Sequence, residues 1–141
     1  MADGPRITWV GHATVLIELD GVRILTDPFL RDRLGPLRRR GPSPDLDAIG
    51  RVDAVLLSHA HPDHFDRLSL RRLRGDPVVV VPTGLGAAIE RMGYVARELR
   101  ADARTTIGSV EVTAVPAHHG RWPRHPAVTT LGYLIEGVTS V

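Results

Sequence analysis

The chain has 141 residues, 43% of them hydrophobic, which suits one globular domain with a core of its own. No stretch approaches the roughly 18 consecutive apolar residues of a membrane-spanning helix, and a formal net charge of +2 is too small to indicate a nucleic-acid partner. Cysteine is absent, which excludes a disulfide framework and any thiolate metal site.

Met1-Ala2-Asp3-Gly4-Pro5-Arg6 lacks the basic and then apolar pattern of a signal peptide, so a cytoplasmic location is expected. Ile7-Thr8-Trp9-Val10 is a short β-rich run ended by Gly11. Thr14 to Leu19 leads into Asp20-Gly21, a strong two-residue hairpin signal, and Val22 to Thr26 is the return strand, closed by Asp27-Pro28. An antiparallel meander therefore opens the fold. From Phe29 to Ser43, Gly and Pro recur around Arg38-Arg39-Arg40, which reads as a long surface loop with a solvated charge run; an anionic group is the alternative partner for the three arginines. All 18 basic residues are Arg, and Lys, Asn and Gln do not occur, the usage of a GC-rich bacterial genome.

The apolar run Val52 to Ser58 ends directly at His59-Ala60-His61-Pro62-Asp63-His64. Four potential metal ligands in six residues are hard to explain as core or as solvated loop, because His and Asp fill cores poorly and a loop has no need of three imidazoles. Imidazole and carboxylate are the ligands that hold zinc and similar divalent cations. In extended backbone, residues i and i+2 point the same way, so His59 and His61 can converge on one cation. Asp63 and His64, past the turn that Pro62 favours, can face a second.

Asp66 is placed to cap a helix through about Leu73, with Leu68, Leu70 and Leu73 as its apolar positions. Val78 to Val81, between Pro77 and Pro82, suits a strand buried on both faces. Gly84-Leu85-Gly86 reads as the entry to a helix through about Met92, and Tyr94 to Leu99 as a strand. Val110 to Val115 alternates as a strand should, Thr129 to Glu136 supplies another, and a new strand begins at Val138. Strands, then helices, then strands within one chain make a layered α/β domain. Between the last two full strands, Pro116-Ala117-His118-His119-Gly120-Arg121-Trp122-Pro123-Arg124-His125 repeats the setting of the first cluster, a loop directly after a strand. One of His118 and His119 is expected to complete the metal site, and His125 is read as surface. On residue type alone, Asp27 is a turn residue and His12 a loop histidine.

His59-Ala60-His61-Pro62-Asp63-His64 resembles the H-x-H-x-D-H signature of the metallo-β-lactamase superfamily. Ile7 to Thr14, Leu25-Thr26-Asp27-Pro28, Val81 to Gly86 and Val115 to His119 resemble the branch of bacterial phospholipase-D-like hydrolases. That branch includes relatives of N-acyl-phosphatidylethanolamine-hydrolysing phospholipase D and of ascorbate-phosphate lactonase. The resemblance runs from Arg6 to Gly137 in the expected order.

The resemblance implies an αβ/βα sandwich and a metal-dependent hydrolase of phosphodiester, ester or lactone bonds in a small-molecule or lipid-derived substrate. His59, His61 and His119, with His118 as fallback, would hold one Zn2+. Asp63 and His64 would belong to a second ion, with Mn2+ or Fe2+ as alternatives to zinc. Asp27 would support a ligand histidine from behind, and Asp63 and His12 are the candidate catalytic residues. The same resemblance implies two further ligands, a bridging Asp after the next strand and a late His, and the chain stops before both. The expectation is thus an N-terminal half to two-thirds of the sandwich, with the first metal site complete and the second unbridged. Slow or absent turnover follows, and so does an uncovered edge that leaves room for a homo-oligomer. The alternative function is a non-catalytic metal-binding fragment. A di-iron oxidoreductase on this scaffold is disfavoured, because such relatives carry Glu where this chain has His61.

Overall fold

Strand β1 (Arg6–Gly11), β2 (Thr14–Leu19) and β3 (Val22–Thr26) form the expected meander, each antiparallel to the next. At the β2–β3 turn, Asp20 and Gly21 both take positive φ, 48° and 78°, as a two-residue type I′ turn requires. The computed structural model describes residues 4–119 and 129–137. His125 and the strand expected at Val138 lie outside them.

The segment after β3 is more ordered than a surface loop. Phe29 and Leu30 are buried, and a small hairpin of β4 (Arg33–Leu34) and β5 (Leu37–Arg38) follows. The arginine run is also divided. Arg38 and Arg40 are exposed, but Arg39 turns inward and donates through Nη2 to the Phe29 carbonyl at 2.7 Å, its side chain only 11% exposed. A guanidinium tolerates this depth because backbone carbonyls satisfy its donors.

Helix α1 (Leu46–Ile49) is capped by Asp45 and leads to β6 (Ala54–Leu56). Helix α2 (Arg67–Arg72) begins at Asp66 as expected, whose carboxylate accepts from Ser69 N. Leu70 is fully buried there, whereas Leu68 is 52% exposed, so six helical residues present a narrower apolar face than the spacing suggested. Strand β7 (Val78–Pro82) precedes α3 (Gly86–Glu90), which ends sooner than Met92, and β8 (Ala96–Leu99). The Gly84-Leu85-Gly86 entry works through Glu98 of β8, whose Oε1 accepts from Gly84 N at 3.2 Å and Gly86 N at 2.8 Å. A Cβ at Gly86 would stand 2.7 Å from that oxygen, so a larger residue would displace the Glu98 side chain from this contact.

Strands β3, β6, β7 and β8 run parallel, giving a six-stranded sheet in the order β1-β2-β3-β6-β7-β8. A second, antiparallel sheet consists of β9 (Arg104–Ile107), β10 (Val110–Pro116) and β11 (Leu131–Gly137), in the order β11-β10-β9.

Strand alternation sorts the central sheet's side chains into two cores. Leu25, Val55, Val79 and Val81 face Ile49, Leu70 and Ile89 of the helices, while Ile24, Ala54, Leu56 and Val80 face Ile107, Val112 and Ala114 of the second sheet. Burial on both faces is what the four consecutive valines predict, at about 1.5–3 kcal/mol for each such side chain removed from water. The layers are helix, sheet and sheet, three successive layers of an αβ/βα sandwich. Among the described residues no helix is long and apolar enough to cross a membrane.

Candidate metal centre

The site forms where β1–β2, β3, β6 and β10 end together. In parallel sheets, this carboxyl edge is where ligands bind. His12 occupies the tip of the β1–β2 hairpin at φ 52°, between the paired residues Gly11 and Thr14. Two threonines fix this corner. Thr26 Oγ1 donates to the Ala13 carbonyl at 2.8 Å, and Thr14 Oγ1 donates to the Asp27 carbonyl at 2.9 Å while accepting from Phe29 N. They hold the hairpin and the end of β3 as one unit.

Beyond β6, the chain turns at Pro62. His61 O accepts from His64 N at 2.9 Å, and this turn brings the His64 ring back beside His59, centroids 4.1 Å apart. Two donor groups result. His59, His61 and His119 form one, and His12, Asp63 and His64 form the other, with the ligand atoms in each group all within 4.8 Å of one another. His119 ring centroids lie 4.8 Å from His59 and 4.6 Å from His61; His118 joins neither group.

Behind both groups lies the buried carboxylate of Asp27, itself at φ 33°. Its Oδ1 accepts from Ser58 N at 2.7 Å; its Oδ2 accepts from Ser58 Oγ at 2.6 Å and faces His64 Nδ1 at 2.9 Å. Because an ionised carboxylate only accepts, the Ser58 hydroxyl proton points to Asp27. Ser58 Oγ is then the acceptor for His59 Nδ1, 2.8 Å away, which leaves the His59 Nε2 lone pair facing His61 Nδ1 at 3.1 Å. Likewise His64 Nδ1–H donates to Asp27 Oδ2, which turns His64 Nε2 toward Asp63 Oδ2 at 3.3 Å.

These donors fit a cation. Ligand nitrogens around a tetrahedral zinc stand about 3.3 Å apart for bonds of roughly 2.0–2.1 Å, close to the His59–His61 separation. Burial, with His64 and His61 nearby, pushes His59 down to about 4, so the ring is neutral and its lone pair is available near neutral pH. The Asp27 hydrogen bond holds His64 above its ordinary value. Burial would raise the Asp63 carboxyl, but the His12 Nε2 contact at 2.9 Å and the nearby His64 outweigh it and hold it below the usual carboxylate range.

Sequence reasoning missed Ser58 and Tyr133. Tyr133 donates to Leu57 O at 2.7 Å, and Leu131 N donates to Ser58 O at 2.9 Å, so the second sheet is bolted to the first directly beneath the histidines. Burial pushes the Tyr133 phenol well up, which keeps its proton in place as a donor. The only available signal for Ser58 was a hydroxyl beside the first histidine.

A family model described as the beta-lactamase superfamily domain matches residues 22–140. The chain belongs to the beta-lactamase superfamily. A metal-dependent hydrolase of Methanopyrus kandleri is 32% identical over 119 residues, 81% of this chain and 47% of that protein. The N-acyl-phosphatidylethanolamine-hydrolyzing phospholipase D 1 of Caenorhabditis elegans is 38% identical over 95 residues, 61% of this chain and 27% of that protein. Among solved structures, the diiron β-hydroxylase CmlA of Streptomyces venezuelae superimposes with a TM-score of 0.77 at 28% identity, over 97% of this chain and 28% of that one. The chain thus spans under half the length of each of these superfamily proteins.

Proposed function

We propose that residues 1–141 form a hydrolase domain that uses one or two zinc ions, with manganese or iron(II) as alternatives. The bond cut is a phosphodiester, ester or lactone of a small-molecule or lipid-derived substrate. The observation that carries this reading is the adjacency of the two donor groups on either side of the Pro62 turn. The relatives named for hydrolysis support it. A cytoplasmic setting is part of the same proposal.

In this reading, His59, His61 and His119 would hold the first ion, and Asp63 and His64 would contribute to a second. When bound, such an ion would lower the pKa of a water towards about 7 and polarise the substrate oxygen. Asp63, held below the usual carboxylate range and fixed by His12 Nε2 at 2.9 Å, is placed to accept a hydrogen bond from an attacking water and would orient it. Asp27 and Ser58 fix which nitrogen of His64 and His59 presents its lone pair.

The test is hydrolysis of an activated phosphodiester, a carboxylic ester and a lactone by the chain loaded with zinc or manganese. Slow turnover, lost with chelator and in His59→Ala, is expected. A folded, metal-loaded chain that cleaves none of the three would favour the non-catalytic metal-binding fragment. An iron pair with oxidative chemistry would move the chain toward the reaction of the Streptomyces hydroxylase.

A further inference from the structure

Beside the second donor group lies a cavity of about 530 Å³, a volume typical of small-molecule sites, and His12 and Asp63 form part of its wall. Its other sides come from β1 and from the β4–β5 hairpin, elements that the hydrolytic chemistry leaves unused. The lining there is apolar: Trp9 and Val10 on one side, Leu34 and Leu37 on the other. Trp9 is 72% exposed and Leu37 67% exposed, so two large apolar surfaces face water across the same opening. Trp9 is also held in place, its Nε1 donating to the His12 carbonyl at 2.9 Å. An indole tied to the neighbour of the candidate centre is a fixed wall, since its polar end is already satisfied.

Arg38 and Arg40 line the same cavity, and among the described residues neither forms an ion pair. Asp32, the one lining carboxylate apart from Asp63, is engaged by Ser43 Oγ at 2.8 Å and by Arg39. The cavity therefore combines apolar walls with two uncompensated cations and opens onto the two residues proposed for catalysis.

We propose that this cavity selects an amphiphilic anion as substrate: an unbranched apolar chain lies between Trp9 and Leu37, and its phosphate or carboxylate group lies against Arg38 and Arg40. The inference rests on the hydrolytic reading of the histidine cluster and names the substrate class of that site. Trp9 and Leu37 read chain length, and the arginines read charge.

Calorimetric titration with n-alkylphosphonates from methyl to octyl, which carry no ester to hydrolyse, tests it, with inorganic phosphate and octanol as further arms. Affinity is expected to rise about two- to fourfold per methylene as the chain is buried, with inorganic phosphate and octanol both far weaker than octylphosphonate. Trp9→Ala and Leu37→Ser should flatten that dependence; Leu37 lies exposed on a hairpin, so its variant serves if Trp9→Ala fails to fold. Replacing both Arg38 and Arg40 by Ala should lower octylphosphonate affinity about tenfold and leave the chain-length dependence intact. Equal affinity for methyl and octyl, or an undiminished dependence in Leu37→Ser, would overturn the proposal. Failure of the two readings is separable: the chain-length dependence should persist in His59→Ala, whatever becomes of turnover. Cleavage of short esters with no chain-length dependence would leave the hydrolase and remove the cavity.

Discussion

Asp27 shows how much a single residue organises here. Its carboxylate takes Ser58 N, Ser58 Oγ and His64 Nδ1, and through the Ser58 hydroxyl it also sets the His59 tautomer. Removing it frees both histidines to turn or to change tautomer while leaving the ligand atoms themselves in the chain. Asp27→Ala is expected to weaken zinc binding about 10- to 100-fold, with a smaller loss in Ser58→Ala, which breaks only the relay to His59. Competition with a chromophoric chelator measures both; an Asp27→Ala variant that binds zinc like the parent would refute the orienting role. The histidines themselves were legible from their spacing, because i and i+2 geometry is local. Ser58 was not legible, since its partner lies 31 residues away across two strands. The choice of His119 over His118 rested on a resemblance, and the ring distances to His59 and His61 now give that residue a place beside them.

At the scale of elements, α2 is anchored by Asp66. Its carboxylate caps the helix at Ser69 N and pairs with Arg31 Nε and Nη2 at 2.9 and 2.7 Å, tying the helix to the segment after β3. Burial would raise the Asp66 carboxyl, but Arg31 and Ser69 outweigh it and hold it below the ordinary value. A depressed carboxylate adds stability that is fully present above its unfolded pKa, about 4, and is lost as pH falls through the lower folded value. Asp66→Ala should therefore cost about 2 kcal/mol at pH 7, mostly as a lost cap and ion pair, and the gap to the parent should close below about pH 4. Denaturant unfolding across that range measures it; a gap independent of pH would show that the charge is not what matters. Elements with strict alternation or a clear cap were readable. Two that were not, α1 and β9, are short. The Arg104–Ile107 strand carries only one buried apolar residue, Ile107, and exists because β10 pairs with it. The β4–β5 hairpin escaped notice for a similar reason: two-residue strands hold no periodicity to see.

For the whole molecule, the layering was legible from the order of strands and helices, and the valines of β7 announced a sheet covered on both sides. The meeting of the loops after β6 and β10 was also expected, and His12 of the β1–β2 tip was named through the resemblance. What sequence could not supply was the hydrogen-bonded frame of Thr14, Thr26, Ser58 and Tyr133 that fixes those loops on one edge of the stack. That convergence places two groups of three candidate donors side by side, the arrangement on which the proposed metal centre rests. The most direct test is the metal content of the purified, folded chain after dialysis without chelator, read by mass spectrometry alongside His59→Ala. About one tightly held divalent ion per chain, zinc by ligand type, is expected in the parent and none in the variant. A well-folded parent that retains no metal, or a variant that retains as much, would contradict the metal centre and the function built on it.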